Sequence, residues 1–181
     1  MLAYVFWHHP QTEVAAGRYE ESVRVFHEAL REHPPAGFRG SVSFSIPPTP
    51  WMPVAAYEDW YLLEDFASLG TLNEAAVSAF RKLAHDEVAR LSDQGAGGVY
   101  RLVSGPLLLE HIRRTVWLRK PRGWSYPRFY ETLDAALAGA HVNLWQRQMT
   151  LGPAPEFCLH SEEPVELADA FEPLTLSVTP L

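Results

Sequence analysis

Cysteine is nearly absent: the chain of 181 residues has one, Cys158. A lone cysteine excludes an internal disulfide framework and any multi-cysteine zinc site, and it fits a reducing cytoplasm. Long apolar runs are missing too, none approaching the ~20 residues that a membrane span requires. The opening residues Met1-Leu2-Ala3-Tyr4-Val5-Phe6-Trp7-His8 carry neither a basic leader nor a small-residue cleavage site, so no secretory signal is expected. Positive charge is scarce, with 15 Lys+Arg against 22 Asp+Glu and a net charge of −7. Binding to a phosphate backbone depends on clustered cations, so no nucleic-acid partner is expected. What remains is a globular composition, 47% hydrophobic and 20% charged, in a chain long enough for one sizeable core or two small domains sharing one.

Four segments recur in the same order. Tyr4-Val5-Phe6-Trp7-His8-His9-Pro10 lines up with Thr115-Val116-Trp117-Leu118-Arg119-Lys120-Pro121, each an apolar strand closed by a polar pair and a proline. The helical segments Tyr19–Leu30 and Tyr126–Leu137 share a period. Asp59–Leu63 parallels Glu156–His160, and Val99–Val103 parallels Leu174–Val178. The repeat divides the chain into residues 1–105 and a shorter 106–181. Gly105-Pro106 is too short a join for a flexible linker, so the halves are expected to pack as one unit.

Each half reads β-α-β-β-α-β. In the first, a helix from about Thr12 to His33 buries Tyr19, Val23, Phe26 and Leu30 along one stripe. In the next strand Phe38, Gly40, Val42, Phe44 and Ile46 alternate with Arg39, Ser41, Ser43 and Ser45, giving one apolar and one wet face. A strand at Glu58–Glu64 follows the proline-rich loop 47–53. A second helix is expected over Thr71–Ser92, buried along Leu72, Ala76, Phe80, Leu83 and Leu91. The glycine run Gly95-Ala96-Gly97-Gly98 reads as a turn before the strand Val99–Ser104. The second half is expected to have strands near Glu110–Arg119, His141–Leu151, Glu156–His160 and Leu174–Thr179, with helices near Tyr126–Ala138 and Pro164–Phe171.

Two such units have the organisation of ferredoxin-like plaits, each an antiparallel sheet with helices on one face and an apolar face left to cover. Setting the two sheets face to face covers both. This α+β arrangement resembles the dimeric α+β barrel superfamily. Its members include small antibiotic-biosynthesis-type monooxygenases, EthD-like and NIPSNAP-like proteins, haem-degrading monooxygenases and chlorite dismutases. The resemblance covers nearly the whole chain. It implies a pocket between a sheet and its own helices, and either a folded monomer or, if the apolar faces seek a partner chain, a homodimer. These families share a fold and not a reaction.

Candidate acid/base residues gather near the end of the first strand. His8 and His9 face opposite ways by strand alternation, so at most one of them enters a given pocket. Arg18 and Tyr19, at the start of the first helix, are placed to converge with it, and His27 is a further candidate on the same helix. Trp7, Trp51, Trp60 and Trp124 are the candidate walls for a planar or apolar ligand; the competing reading makes them core packing. Haem-degrading members of the resembled group pair a Trp with a helix His, for which Trp60 and His85 are available, but the first strand lacks the Asn of that pattern. Haem is therefore the weaker alternative to a cofactor-free protein. No two-histidine metal spacing occurs among the eight histidines. Cys158 and His160 share a strand face, where a small core side chain is the expected role of the thiol. The residues thus point to a cofactor-independent monooxygenase or isomerase for an apolar or aromatic substrate. A non-catalytic module that binds a ligand or partner is the competing function.

Overall fold

The computed structural model describes all residues except Leu108 and Glu110. The expected second-half strand start at Glu110 lies outside the described residues. Strand β1 (Leu2–Pro10), helix α1 (Ala16–Glu32), β2 (Phe38–Ile46), β3 (Ala56–Leu63), α2 (Phe66–Ala76), α3 (Lys82–Leu91) and β4 (Ser92–Ser104) make the first half. The second contains β5 (Arg114–Leu118), α4 (Tyr126–Ala136), β6 (Val142–Arg147), β7 (Phe157–Ser161), β8 (Leu174–Ser177) and β9 (Thr179–Pro180).

All strands join one antiparallel sheet in the order β8-β5-β7-β6-β4-β1-β3-β2-β9. Within each half the order is fourth, first, third, second. The halves meet where β4 pairs with β6. At the other seam β8 pairs with β5, while β9, one residue further along the chain, pairs with β2. The final segment therefore ties both edges of the sheet together and closes it into a barrel. Closure removes the exposed edges that an open sheet would leave.

Strand alternation sorts side chains between barrel interior and helix-covered exterior. Ala3, Val5 and Trp7 of β1 point inward with Trp60 and Leu62 of β3, Trp117, Trp145 and Cys158. Their neighbours Leu2, Tyr61 and Leu63 pack outward under α1 and α2. In the second half Val116, Leu118, Leu144, Phe157 and Leu159 pack against Phe129 and Leu133 of α4 and against Phe171.

Four expectations need correction. The second helix is broken: α2 begins early because the Asp65 side chain caps it on Ser68 N, and it ends at Ala76. Arg81 then holds the carbonyls of Ala75 and His33, which turns the chain outward and leaves Phe80 and Leu83 exposed at 76% and 83%. The glycine run lies inside β4, with Gly97 opposite Phe6 and Gly95 opposite His8. A Cβ at Gly97 would stand 2.7 Å from the Tyr4 ring, so these glycines let aromatic rings of β1 lie across β4. A register shift between Phe38 and Gly40 places Phe38 opposite Leu63, on the helix side, away from the face of Val42 and Phe44. Of the helix expected over Pro164–Phe171, a single 3-10 turn at Asp169–Phe171 forms.

The barrel interior holds a carboxylate. Glu58 is fully buried, its oxygens accepting from the indole N–H of Trp7 and Trp60, each at 2.7 Å. Burial pushes its carboxyl up to about 7, the two indole hydrogen bonds offsetting only part of that cost. Folded Glu58 therefore keeps its proton between the ordinary 4.5 and about 7, where the unfolded chain has lost it. Stability is expected to fall as pH rises through that window, by about 3 kcal/mol from this group. Urea denaturation across the window checks this: Glu58→Gln should flatten the dependence, and an unchanged slope would contradict it.

Candidate functional site

The neighbour of Glu58 faces the other way and meets different chemistry. Asp59 emerges on the helix-covered face of β3, flanked two residues either side by Tyr57 and Tyr61. His8 reaches it from β1 and His27 from α1. Their Nε2 atoms lie 3.1 and 3.3 Å from Asp59 Oδ2, and Tyr61 donates its hydroxyl to the same oxygen at 2.7 Å. All of these side chains are buried. Asp59 Oδ1 has no hydrogen-bond partner among the described residues.

Burial alone would raise the Asp59 carboxyl, but the charge and hydrogen bonding of His8 and His27 outweigh it and hold Asp59 well below the usual carboxylate range. Burial, then the Asp59 charge, pushes the Tyr61 hydroxyl well above its ordinary value. His8 has a second partner: Ser92 Oγ donates to the Val88 carbonyl at 2.8 Å, so Tyr19 donates to Ser92 at 2.7 Å and His8 Nδ1 to Tyr19 at 2.6 Å.

A cavity of about 580 Å³ lies beside this cluster, between β1 and β3 below and α1, α2 and α3 above. Its floor is Tyr4, Phe6 and Tyr61; Phe26 and Leu72 wall it, and Asn73 and His85 add polar atoms. The size is that of a small-molecule pocket. Tyr61 spans from the cavity wall to Asp59, and Phe6 stacks on His8 with ring centroids 5.3 Å apart. The corresponding space in the second half is filled by Phe129, Phe157 and Phe171.

Of the residues singled out in the sequence, His8, Tyr19 and His27 come together at Asp59. His9 points elsewhere, its Nδ1 3.0 Å from the Pro10 carbonyl and its Nε2 4.0 Å from Asp93. Arg18 pairs with Glu87 at the surface, 3.3 Å away. Trp7 and Trp60 lie inside the barrel on Glu58, and Trp51 packs edge-on to Trp7 and Trp117 there. Trp124 sits in the second half under the Arg128 guanidinium, 4.2 Å from its ring centroid. None of these four indoles lines the 580 Å³ cavity. Trp60 and His85 are on opposite sides of the sheet. Cys158 and His160 share the interior face; burial, then the Glu58 charge, raises the thiol, and burial lowers the imidazole to about 3. No cluster of three His, Cys, Asp or Glu able to hold a metal ion occurs among the described residues.

Asp59, Tyr4 and Asn73 were not singled out as site residues. The signal for Asp59 was present: two adjacent acids interrupt an otherwise apolar strand, and buried charges require partners. Asp59→Asn removes the charge that faces His8 and His27, so a loss of about 3 kcal/mol or more is expected. Calorimetry at neutral pH measures it; a melting temperature within a degree or so of the parent would contradict the ion pair.

No protein-family model matches the sequence, and no curated protein matches it. Solved structures do share its fold. An anthrone oxidase-like protein superposes with a TM-score of 0.56 at 9% identity, covering 99% of this chain and 91% of that one. A candidate monooxygenase from Lactobacillus acidophilus NCFM gives 0.56 at 6% identity, covering 99% and 93%. At these identities the likeness is one of architecture. The chain has the dimeric α+β barrel fold, with both halves supplied by one polypeptide.

Proposed function

We propose that the first-half cavity binds an apolar or aromatic small molecule and that the Asp59 centre removes a proton from it. The observation that carries this reading is the direct link from the cavity wall to a buried, ionised carboxylate through the Tyr61 hydroxyl at 2.7 Å. The apolar walls favour a planar ligand. The tyrosine hydroxyls of Tyr4 and Tyr61, with Asn73, orient its polar atoms. A buried carboxylate flanked by the imidazoles of His8 and His27 takes that proton away from bulk water and leaves an enolate or phenolate behind. Such an anion isomerises when reprotonated at another carbon, or reacts with dioxygen as a cofactor-independent monooxygenase requires. The names of the two similar structures, one anthrone oxidase-like and one a candidate monooxygenase, agree with the second outcome.

Haem fits the residues poorly. Among the described residues His85 is the sole imidazole on the cavity wall, no Arg or Lys lines it to meet propionates, and Trp60 lies beyond the sheet.

Proton removal can be read without knowing the final product. Anthrone and related keto-aromatics, incubated with the protein in deuterium oxide, should exchange an acidic C–H for deuterium, as followed by proton NMR. Asp59→Asn should slow that exchange about a hundredfold or more. Ligands that bind in the cavity yet exchange no faster with protein than without it would make this a binding module.

A further inference from the structure

Helix α1 carries Arg24, Glu28 and Arg31 at i, i+4 and i+7, a polar row beside its apolar stripe. Strand β2 turns Ser41 and Ser43 toward that helix. Between them lies a second cavity, of about 220 Å³, with His27 on its wall. The alternation of β2 predicts a wet face here, and α1 covers it. Ser43 is 5% exposed, and its hydroxyl has no partner among the described residues. A buried hydroxyl left unpaired is costly, so the cavity is where its partner belongs.

Charge on this wall is of both signs. Arg24 is engaged, with Glu20 at 3.6 Å and Glu21 at 3.0 Å. Arg31 and Glu28 also line the cavity, and neither makes an ion pair among the described residues. A simple anion in this space meets Glu28, and a simple cation meets Arg31. A molecule that carries both charges satisfies both. A guanidinium takes a carboxylate through two parallel N–H bonds, to which a neighbouring hydroxyl adds a third. Val23 and Leu181, which pack with Tyr19, leave an apolar strip of wall. The space is smaller than a drug-sized pocket and suits a small metabolite.

We propose that this cavity binds a free α-amino acid with an apolar side chain. Its carboxylate meets Arg31 and the Ser43 hydroxyl, its ammonium meets Glu28, and its side chain lies on Val23 and Leu181. The site shares no lining residue with the apolar cavity, and it stands whether or not Asp59 removes a proton. It adjoins the Asp59 centre through His27, whose Nδ1 is 2.8 Å from Ser41 Oγ. Occupancy is therefore felt at His27, whereas His8 has its Nδ1 on Tyr19 and is shielded.

Calorimetric titration with L-leucine tests the ligand class against two analogues: isocaproate, which lacks the ammonium, and isopentylamine, which lacks the carboxylate. Leucine should bind saturably, and each single-charge analogue about tenfold or more weakly. Arg31 and Glu28 are exposed, so their variants keep the fold. Arg31→Gln should weaken leucine about tenfold and leave isopentylamine unchanged. Glu28→Gln should weaken leucine by a similar factor and leave isocaproate unchanged or tighter. In NMR of the imidazoles, leucine should move the His27 signals and not those of His8. Isocaproate that binds as tightly as leucine would make this a plain anion site and overturn the proposal. No saturable binding of leucine would overturn it too, leaving the cavity to water. Leucine binding that both variants retain, or that leaves His27 unmoved, would place the ligand elsewhere and overturn the site.

Discussion

A carboxylate can stay ionised inside a protein only if something there replaces water, and at Asp59 that something is a pair of imidazoles and a phenol. Meeting this requirement ties three elements together: β1 through His8, α1 through His27, and β3 through Asp59 and Tyr61. Helix α1 is thus held to the sheet by charge as well as by its apolar stripe, and its position fixes the roof of the neighbouring cavity. One residue earlier in the same strand, Glu58 meets indole N–H groups and no cation, and it is driven toward its neutral form. Adjacent acids on opposite faces of one strand are pushed in opposite directions by what each face offers.

The two halves share a strand order and differ in how their sheets are covered. In the first, α2 and α3 arch over β1 and β3, because Arg81 breaks the helix and turns it outward. Space remains beneath. In the second, a short turn ending in Phe171 lies directly on the sheet and fills it. Closing the barrel within one chain lets the halves diverge in this way, since the second half can serve as packing while the first keeps the cavity.

The architecture was legible because it depends on patterns that survive in sequence: the period of α1 and the alternation of Val42, Phe44 and Ile46 in β2. The approach of Tyr19 to His8 was legible as well, because the helix begins close to where the first strand ends, whereas Arg18 from the same turn lies at the surface on Glu87. Asp59 was harder to see. Strand periodicity treats Glu58-Asp59 as one charged interruption, and only the paired register shows that each acid has its own face and partners. The indoles misled for a related reason: Trp7 and Trp60 alternate onto the interior face, where their area fills the barrel and their N–H groups hold Glu58. The strand through Gly95 and Gly97 was hidden because glycine usually marks a turn, while here it makes room for the Tyr4 and Phe6 rings.

The charge state of Asp59 is the point on which site and function both rest. Carbon-13 NMR of its side-chain carboxyl, followed as the solution is acidified, observes that state directly. The account requires the resonance to stay in the ionised position well below the ordinary 3.8 of an aspartate, for as long as the protein remains folded. A carboxyl that takes up its proton at or above that value would show that His8 and His27 do not compensate its burial, and the ion-pair account of the cluster would fail.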